Sequence, residues 1–98
     1  MFSLNSETIL STLKKEKDFL KQNFGVLEIG IFGSYANGDF NSDSDIDIAV
    51  KFVKPSFDYF VNLQIYLEKN LNSKIDLYRL RDSKTNFQKL IEKNIIYV

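Results

Sequence analysis

The sequence predicts an α+β, or mixed α/β, sandwich of three layers or fewer, with elements in the order α-β-β-α-β-α-β. Three observations carry that prediction. Apolar residues recur at helical spacing through the first 24 residues. Two β-rich stretches follow, one a continuous apolar run and one strictly alternating. Helix-period and strand-period segments then alternate to the end. Ser6 is placed to cap the first helix, with Glu7 near its positive end. Ile9, Leu10, Leu13, Leu20 and Phe24 form its apolar side and Lys14, Lys15, Lys17 and Lys21 its polar side, over about 6–23, and Gly25 ends it.

Val26 to Phe32 lies between Gly25 and Gly33 and reads as a buried strand. Residues 33–44 are turn formers with room for one short helix. Asp45 to Phe52 alternates, with Ile46, Ile48, Val50 and Phe52 on one face and Asp45, Asp47, Ala49 and Lys51 on the other, the pattern of a strand with one buried face. Pro55 starts a helix to about Leu71, with Phe57, Phe60, Val61, Gln64, Leu67 and Leu71 as its stripe. Lys74 to Leu80 is a strand. Ser83 caps a third long helix bearing Phe87, Leu90, Ile91 and Asn94, and Ile95 to Val98 is a last short strand.

The chain has 98 residues, enough for one domain, here 1–98, and too few for two with cores of their own. It contains no Cys and no His, which excludes thiolate nucleophiles, zinc–thiolate sites, imidazole bases and Ser–His–Asp triads. A metal site must be built from oxygen, which favours Mg²⁺, Ca²⁺ or Mn²⁺, and a general base must be a carboxylate, Lys or Tyr. No stretch suits a membrane span, and Met1 to Ser11 lacks the pattern of a secretory signal, so a cytoplasmic protein is expected.

The 13 basic and 13 acidic residues cancel, giving no overall reason to expect direct nucleic-acid binding. They are unevenly spread. Between Gln22 and Val50 there is no Lys or Arg, but there are Glu28, Asp39, Asp43, Asp45 and Asp47. Such a run is either a solvated acidic loop or a cation site. Asp45 and Asp47 share a strand face with Cβ atoms roughly 7 Å apart, where their mutual repulsion would be relieved by a divalent cation. Gly33-Ser34 directly follows the first strand. Glycine permits close approach of the backbone to a ligand, and a following helical turn would aim N–H groups and the Ser34 hydroxyl at an anion. A phosphate cradle is thus predicted beside a metal site.

Gly33-Ser34, ten residues, then Asp45-Ile46-Asp47 matches the G-S-x10-D-x-D signature of the DNA polymerase β-like nucleotidyltransferase superfamily. Ile-Phe-Gly-Ser-Tyr-Ala-x-Gly and Ser-Asp-Ile-Asp-Ile-Ala-Val resemble the minimal nucleotidyltransferase (MNT) group over essentially the whole chain. The resemblance implies the nucleotidyltransferase fold, with a mixed four-stranded sheet and helices packed against it. It also implies a third active-site carboxylate, Asp76 in Lys-Ile-Asp-Leu-Tyr, which on its own reads as a surface Asp. Asn37 departs from the pattern, since relatives often carry a basic residue there. Arg79 or Arg81 could compensate, or could be surface charges.

The implied activity is transfer of a nucleotidyl group from an NTP, ATP foremost, to a hydroxyl with release of pyrophosphate. Gly33 and Ser34 would bind the nucleotide. Asp45, Asp47 and Asp76 would be catalytic residues and ligands of two Mg²⁺ ions, with Asp76 accepting the hydroxyl proton. Short MNT proteins resemble the antitoxins of HEPN–MNT toxin–antitoxin pairs, so the implied acceptor is a Tyr of a HEPN-domain toxin. Two other readings stay open: an antitoxin acting by binding alone, and a transferase for a small molecule or RNA with a separate acceptor-binding subunit.

Overall fold

A computed structural model of the chain describes residues 4–41 and 43–98, so the N-terminal stretch read for a signal segment is described only from Leu4. The first helix, α1 (Ser6–Phe24), is capped by Asn5, not Ser6. The Asn5 Oδ1 accepts from the Thr8 backbone N–H at 2.8 Å, and the Thr8 Oγ1 accepts from the Asn5 N–H at 3.0 Å. Two donors at the helix start are thus satisfied reciprocally, which Ser6 could not do from inside the first turn. Gly25 ends the helix as expected, in the left-handed region at φ 61°. A β-carbon there would also strike the Tyr59 ring.

Strand β1 (Val26–Phe32) runs directly into the short helix α2 (Gly33–Asn37). Strand β2 (Ile46–Phe52) and helix α3 (Phe57–Leu71) follow. Strand β3 (Ile75–Arg79), helix α4 (Asn86–Glu92) and strand β4 (Ile96–Tyr97) complete the described elements, so α2 is the addition to the expected order. The four strands form one sheet in the order β3-β2-β1-β4. β2 and β3 are parallel, while β1 is antiparallel to both β2 and β4. The expected mixed sheet is observed.

Helices α1 and α3 pack against one face of the sheet and against each other. Ile46, Ile48 and Val50 point into that layer, meeting Ile9, Leu13 and Leu63 among others, and all six are fully buried. The other face is not simply solvated. Ala49 is fully buried there and joins Phe32, Leu80 and Ile91 in a smaller cluster under α4. The expectation of one buried face for β2 is therefore corrected: Ala49 is covered by Phe32, Leu80 and Ile91.

The helix expectations need three further corrections. Ser56 caps α3 by accepting from the Tyr59 N–H at 3.2 Å, and Pro55 lies outside the helix. The buried ridge of α3 is Leu63, Leu67 and Leu71, one turn apart, whereas Phe57 is 80% exposed. Thr85, not Ser83, caps α4 through the Gln88 N–H, and α4 buries Gln88 and Ile91 while Phe87 and Leu90 stay exposed. Among the described residues no helix is long and apolar enough to cross a membrane.

The α3 ridge is testable. Leu63→Ala should lower stability by about 2–4 kcal/mol through a core cavity, and Phe57→Ala by less than about 0.5 kcal/mol, both measured by urea unfolding.

Candidate active site

The parallel pairing of β2 with β3 sets Asp47 directly opposite Asp76, and the antiparallel pairing of β1 with β2 sets Phe32 opposite Asp47. Three strand positions therefore lie in a row across the sheet. The chain turns from Phe32 into Gly33 and Ser34 at one end of the row, Asp47 is central, and Asp76 is on the edge strand. Asp76 is exposed and Asp47 half-buried, and Asp45 is exposed just before β2. Burial raises the Asp47 carboxyl to about 6, helped by the charge of Asp76, a hydrogen bond to it and the charge of Asp45. The structure thus brings Asp47 and Asp76 together, with Asp45 close enough to act on Asp47 through its charge.

Gly33 has φ 71°, and a β-carbon on it would run into the Asp47 carboxylate. Glycine is needed twice over, for the backbone conformation and for the space. The α2 helix that begins here has no side-chain cap, so its first N–H groups keep hydrogen-bonding capacity beside the half-buried Ser34. Its C-terminal end closes on Gly38, and the Asp39 N–H donates to the Ser34 carbonyl at 2.9 Å.

Among the described residues no three acidic side chains converge closely enough to hold an ion by themselves. The donor set nevertheless suits a hard cation. It consists of carboxylates alone, it repels itself, and no ion pair engages Asp45, Asp47 or Asp76 among the described residues. Magnesium needs only one or two carboxylates and completes its shell with water and phosphate.

Of the other acidic residues of the central run, Asp43 lines the cleft that also takes in Asp45. In the loop before β2, Asn41 Oδ1 accepts from the Asp43 N–H and Ser44 Oγ from the Asn41 N–H, at 2.8 and 2.9 Å. Arg79 and Arg81 lie toward the far end of β3, sharing a groove with Lys51 and Lys54, so neither stands in for a basic residue at Asn37. The sequence did not reveal a cleft of about 590 Å³ beside the site, lined by Tyr35, Phe40, Asp45 and Lys74 among others. Tyr35 and Phe40 stack there at 4.3 Å, a pairing hidden by the end of α2 and the turn at Gly38 between them. The cleft takes in Asp45 but none of Gly33, Ser34, Asp47 or Asp76; of these Asp76 is exposed and the other three are half-buried.

The family model described as polymerase beta, nucleotidyltransferase matches residues 14–98. The chain belongs to this family. A protein adenylyltransferase, MntA, of Thermococcus cleftensis is 40% identical over 99 residues, covering all of both chains. Among solved structures, a minimal nucleotidyltransferase is similar with a TM-score of 0.80 at 23% identity, covering 98% of each chain. The MNT antitoxin complex with the tri-AMPylated HEPN toxin of Shewanella oneidensis is similar with a TM-score of 0.62 at 23% identity, covering 90% of this chain and 70% of that one. At such identity the two structures show a shared fold. The resemblance drawn from Gly33-Ser34 and Asp45-Ile46-Asp47 is borne out, and the nucleotidyltransferase carries these residues at one end of its sheet.

The raised Asp47 pKa fixes a pH dependence. Its folded value lies above the unfolded one, so its contribution to stability is most favourable below about 3.8 and is lost as pH rises through about 6. With chelator present, Asp47→Asn should stabilise the protein at pH 7.5 by about 1 kcal/mol, after allowance for solvent screening. The gain should shrink toward zero near pH 4, as followed by thermal unfolding across pH.

Proposed function

We propose that this nucleotidyltransferase moves AMP from ATP to a tyrosine hydroxyl of a HEPN-domain toxin partner, and that it thereby acts as the antitoxin in the cytoplasm. The observation that carries the reading is the Asp47–Asp76 pair beside the Gly33-Ser34 turn, with Asp76 exposed on the edge strand. A site of this shape suits an acceptor presented by another folded protein better than a small free molecule, which is usually enclosed. The name of the Thermococcus relative and the AMPylated toxin in the Shewanella complex support the same acceptor class. The whole of 1–98 would be one minimal catalytic domain.

In this reading Gly33 gives the triphosphate close backbone approach, and the α2 N–H groups with Ser34 hold its oxygens. Asp45, Asp47 and Asp76 would hold up to two Mg²⁺ ions, which supply charge neutralisation at the α-phosphate and the leaving pyrophosphate. Asp76, at the exposed edge, orients the acceptor hydroxyl and takes its proton. The acceptor oxygen forms a bond to the α-phosphorus as the bond to the pyrophosphate oxygen breaks, and pyrophosphate departs with the electron pair. The binding-only reading is disfavoured by Asp47 itself, since a self-repelling carboxylate pair is a poor feature to keep in a purely structural surface. The reading with a small-molecule or RNA acceptor has no specific observation in its favour.

Purified protein with Mg²⁺, a HEPN protein and ATP labelled at the α-phosphate should place label on the HEPN protein, while ATP labelled at the γ-phosphate should not. Asp45→Asn and Asp47→Asn should each reduce transfer by about a hundredfold or more, with unchanged circular dichroism. Full activity in both variants would sink the reading, and label on aminoglycoside or RNA alone would move it to the third class.

A further inference from the structure

Helix α4 buries Ile91 but turns two other large apolar residues outward. Its inward ridge includes Gln88, which is 1% exposed, while Phe87 and Leu90 are 52% and 61% exposed. The burial of Gln88 has a reason: its Oε1 accepts from the Arg81 N–H at 2.9 Å and its Nε2 donates to the Arg81 carbonyl at 2.8 Å. That clamp holds the loop after β3 and fixes the rotation of α4, which leaves Phe87 and Leu90, one turn apart, on the surface.

The strip is next to the active site. Tyr78 shares a sheet face with Asp76, about 7 Å along β3. The Tyr78 ring meets Phe87 edge-on with centroids 5.2 Å apart, and its hydroxyl lies 3.2 Å from Thr85 Oγ1. Across the sheet the order is the Gly33-Ser34 turn at the end of β1, Asp47 on β2 and Asp76 on β3. On the reading above, on which this inference rests, the nucleotide sits toward β1 and the acceptor toward β3. The apolar strip therefore adjoins the acceptor side.

Charge selects the chemistry of the occupant. From Arg81 to Asn94 there are four basic and two acidic residues. Lys84 pairs with Glu92 at 3.1 Å and Asp82 with Lys51 at 3.2 Å. No ion pair engages Lys89 or Lys93 among the described residues. We infer that Tyr78, Phe87 and Leu90, with their basic rim, dock the segment of the acceptor protein that carries the reactive tyrosine, and that this segment is apolar and acidic. Nucleic acid fits less well, because Leu90 has no stacking face, Phe87 is engaged edge-on, and the chain has no net charge.

The test is an NMR titration of the full chain with the peptide acetyl-Glu-Leu-Tyr-Leu-Glu-amide at millimolar concentration. Saturable shifts are expected at Tyr78, Phe87 and Leu90, with the midpoint raised about tenfold in the Phe87→Ser/Leu90→Ser double variant. Ile65→Ser, at an exposed site on α3, should leave the midpoint unchanged, and Mg-ATP should shift residues around Gly33 equally in all three proteins. Absence of saturable shifts, shifts confined to other surfaces, an unchanged midpoint in the double variant, or displacement of the peptide by a single-stranded RNA hexamer would each overturn the docking surface. Peptide binding at α4 without AMP transfer to any hydroxyl would leave the docking surface standing and remove the transfer reading. Transfer with peptide shifts elsewhere would do the reverse.

Discussion

Everything at the site depends on the register between β2 and β3. Because side chains alternate along a strand, a slip of one residue would send Asp47 into the layer of α1 and α3 and Ile46 and Ile48 onto the opposite face. The core forbids that slip: Ile46, Ile48 and Val50 are fully buried against α1 and α3. Hydrophobic packing on one face therefore dictates which carboxylates meet on the other. The pairing is parallel, so Asp47 and Asp76 come to the same end of neighbouring strands. That end is also where β1 finishes and Gly33 turns into α2, since β1 runs antiparallel to β2.

The same register has an energetic consequence. Packing energy from the core holds two carboxylates side by side, and the protein carries their repulsion in the absence of a ligand. Burial first, and then the neighbouring charges of Asp76 and Asp45, raise the Asp47 pKa to about 6. Gly33 belongs to the same constraint, because any side chain there would contact the Asp47 carboxylate and push the cradle away from the acidic pair. Stability and site geometry are opposed at this one point, and a bound cation would bring them back into agreement.

What the sequence made legible follows from how local each signal is. The Gly25 stop, the bounds of β1 and the inward face of β2 rest on neighbouring residues, and each stands in the structure. The Gly33-Ser34 and Asp45-Ile46-Asp47 elements were readable because their chemistry is carried by residue type at fixed spacing. Helix starts were less so. At Asn5-Ser6 and at Ser83 to Thr85 several residues can cap, and the choice turns on partners three residues on, the reciprocal Thr8 for Asn5 and the Gln88 N–H for Thr85. The α3 stripe was right at Leu67 and Leu71 and misplaced before them, because Phe57, Phe60, Val61 and Gln64 continue the same helical period as well as Leu63 does, and tertiary packing chose Leu63. The meeting of Asp47 with Asp76 was invisible to spacing alone. It comes from a parallel crossover through α3 spanning more than twenty residues, and only the family resemblance anticipated it.

Gln88 shows how one polar side chain can shape a surface several residues away. A buried amide must satisfy both its donor and its acceptor, and the Arg81 backbone offers one of each. Leucine at that position would bury as well and would leave the Arg81 groups without these partners, so α4 could rotate to bring Phe87 or Leu90 inward. The hydrogen-bonded amide forbids that rotation. A fold selected only for stability would gain by burying the phenylalanine and the leucine at about 25 cal/mol per Å² of apolar surface. Here the helix instead presents both beside the acceptor edge of the sheet, an orientation set by two hydrogen bonds and useful only if something else covers it.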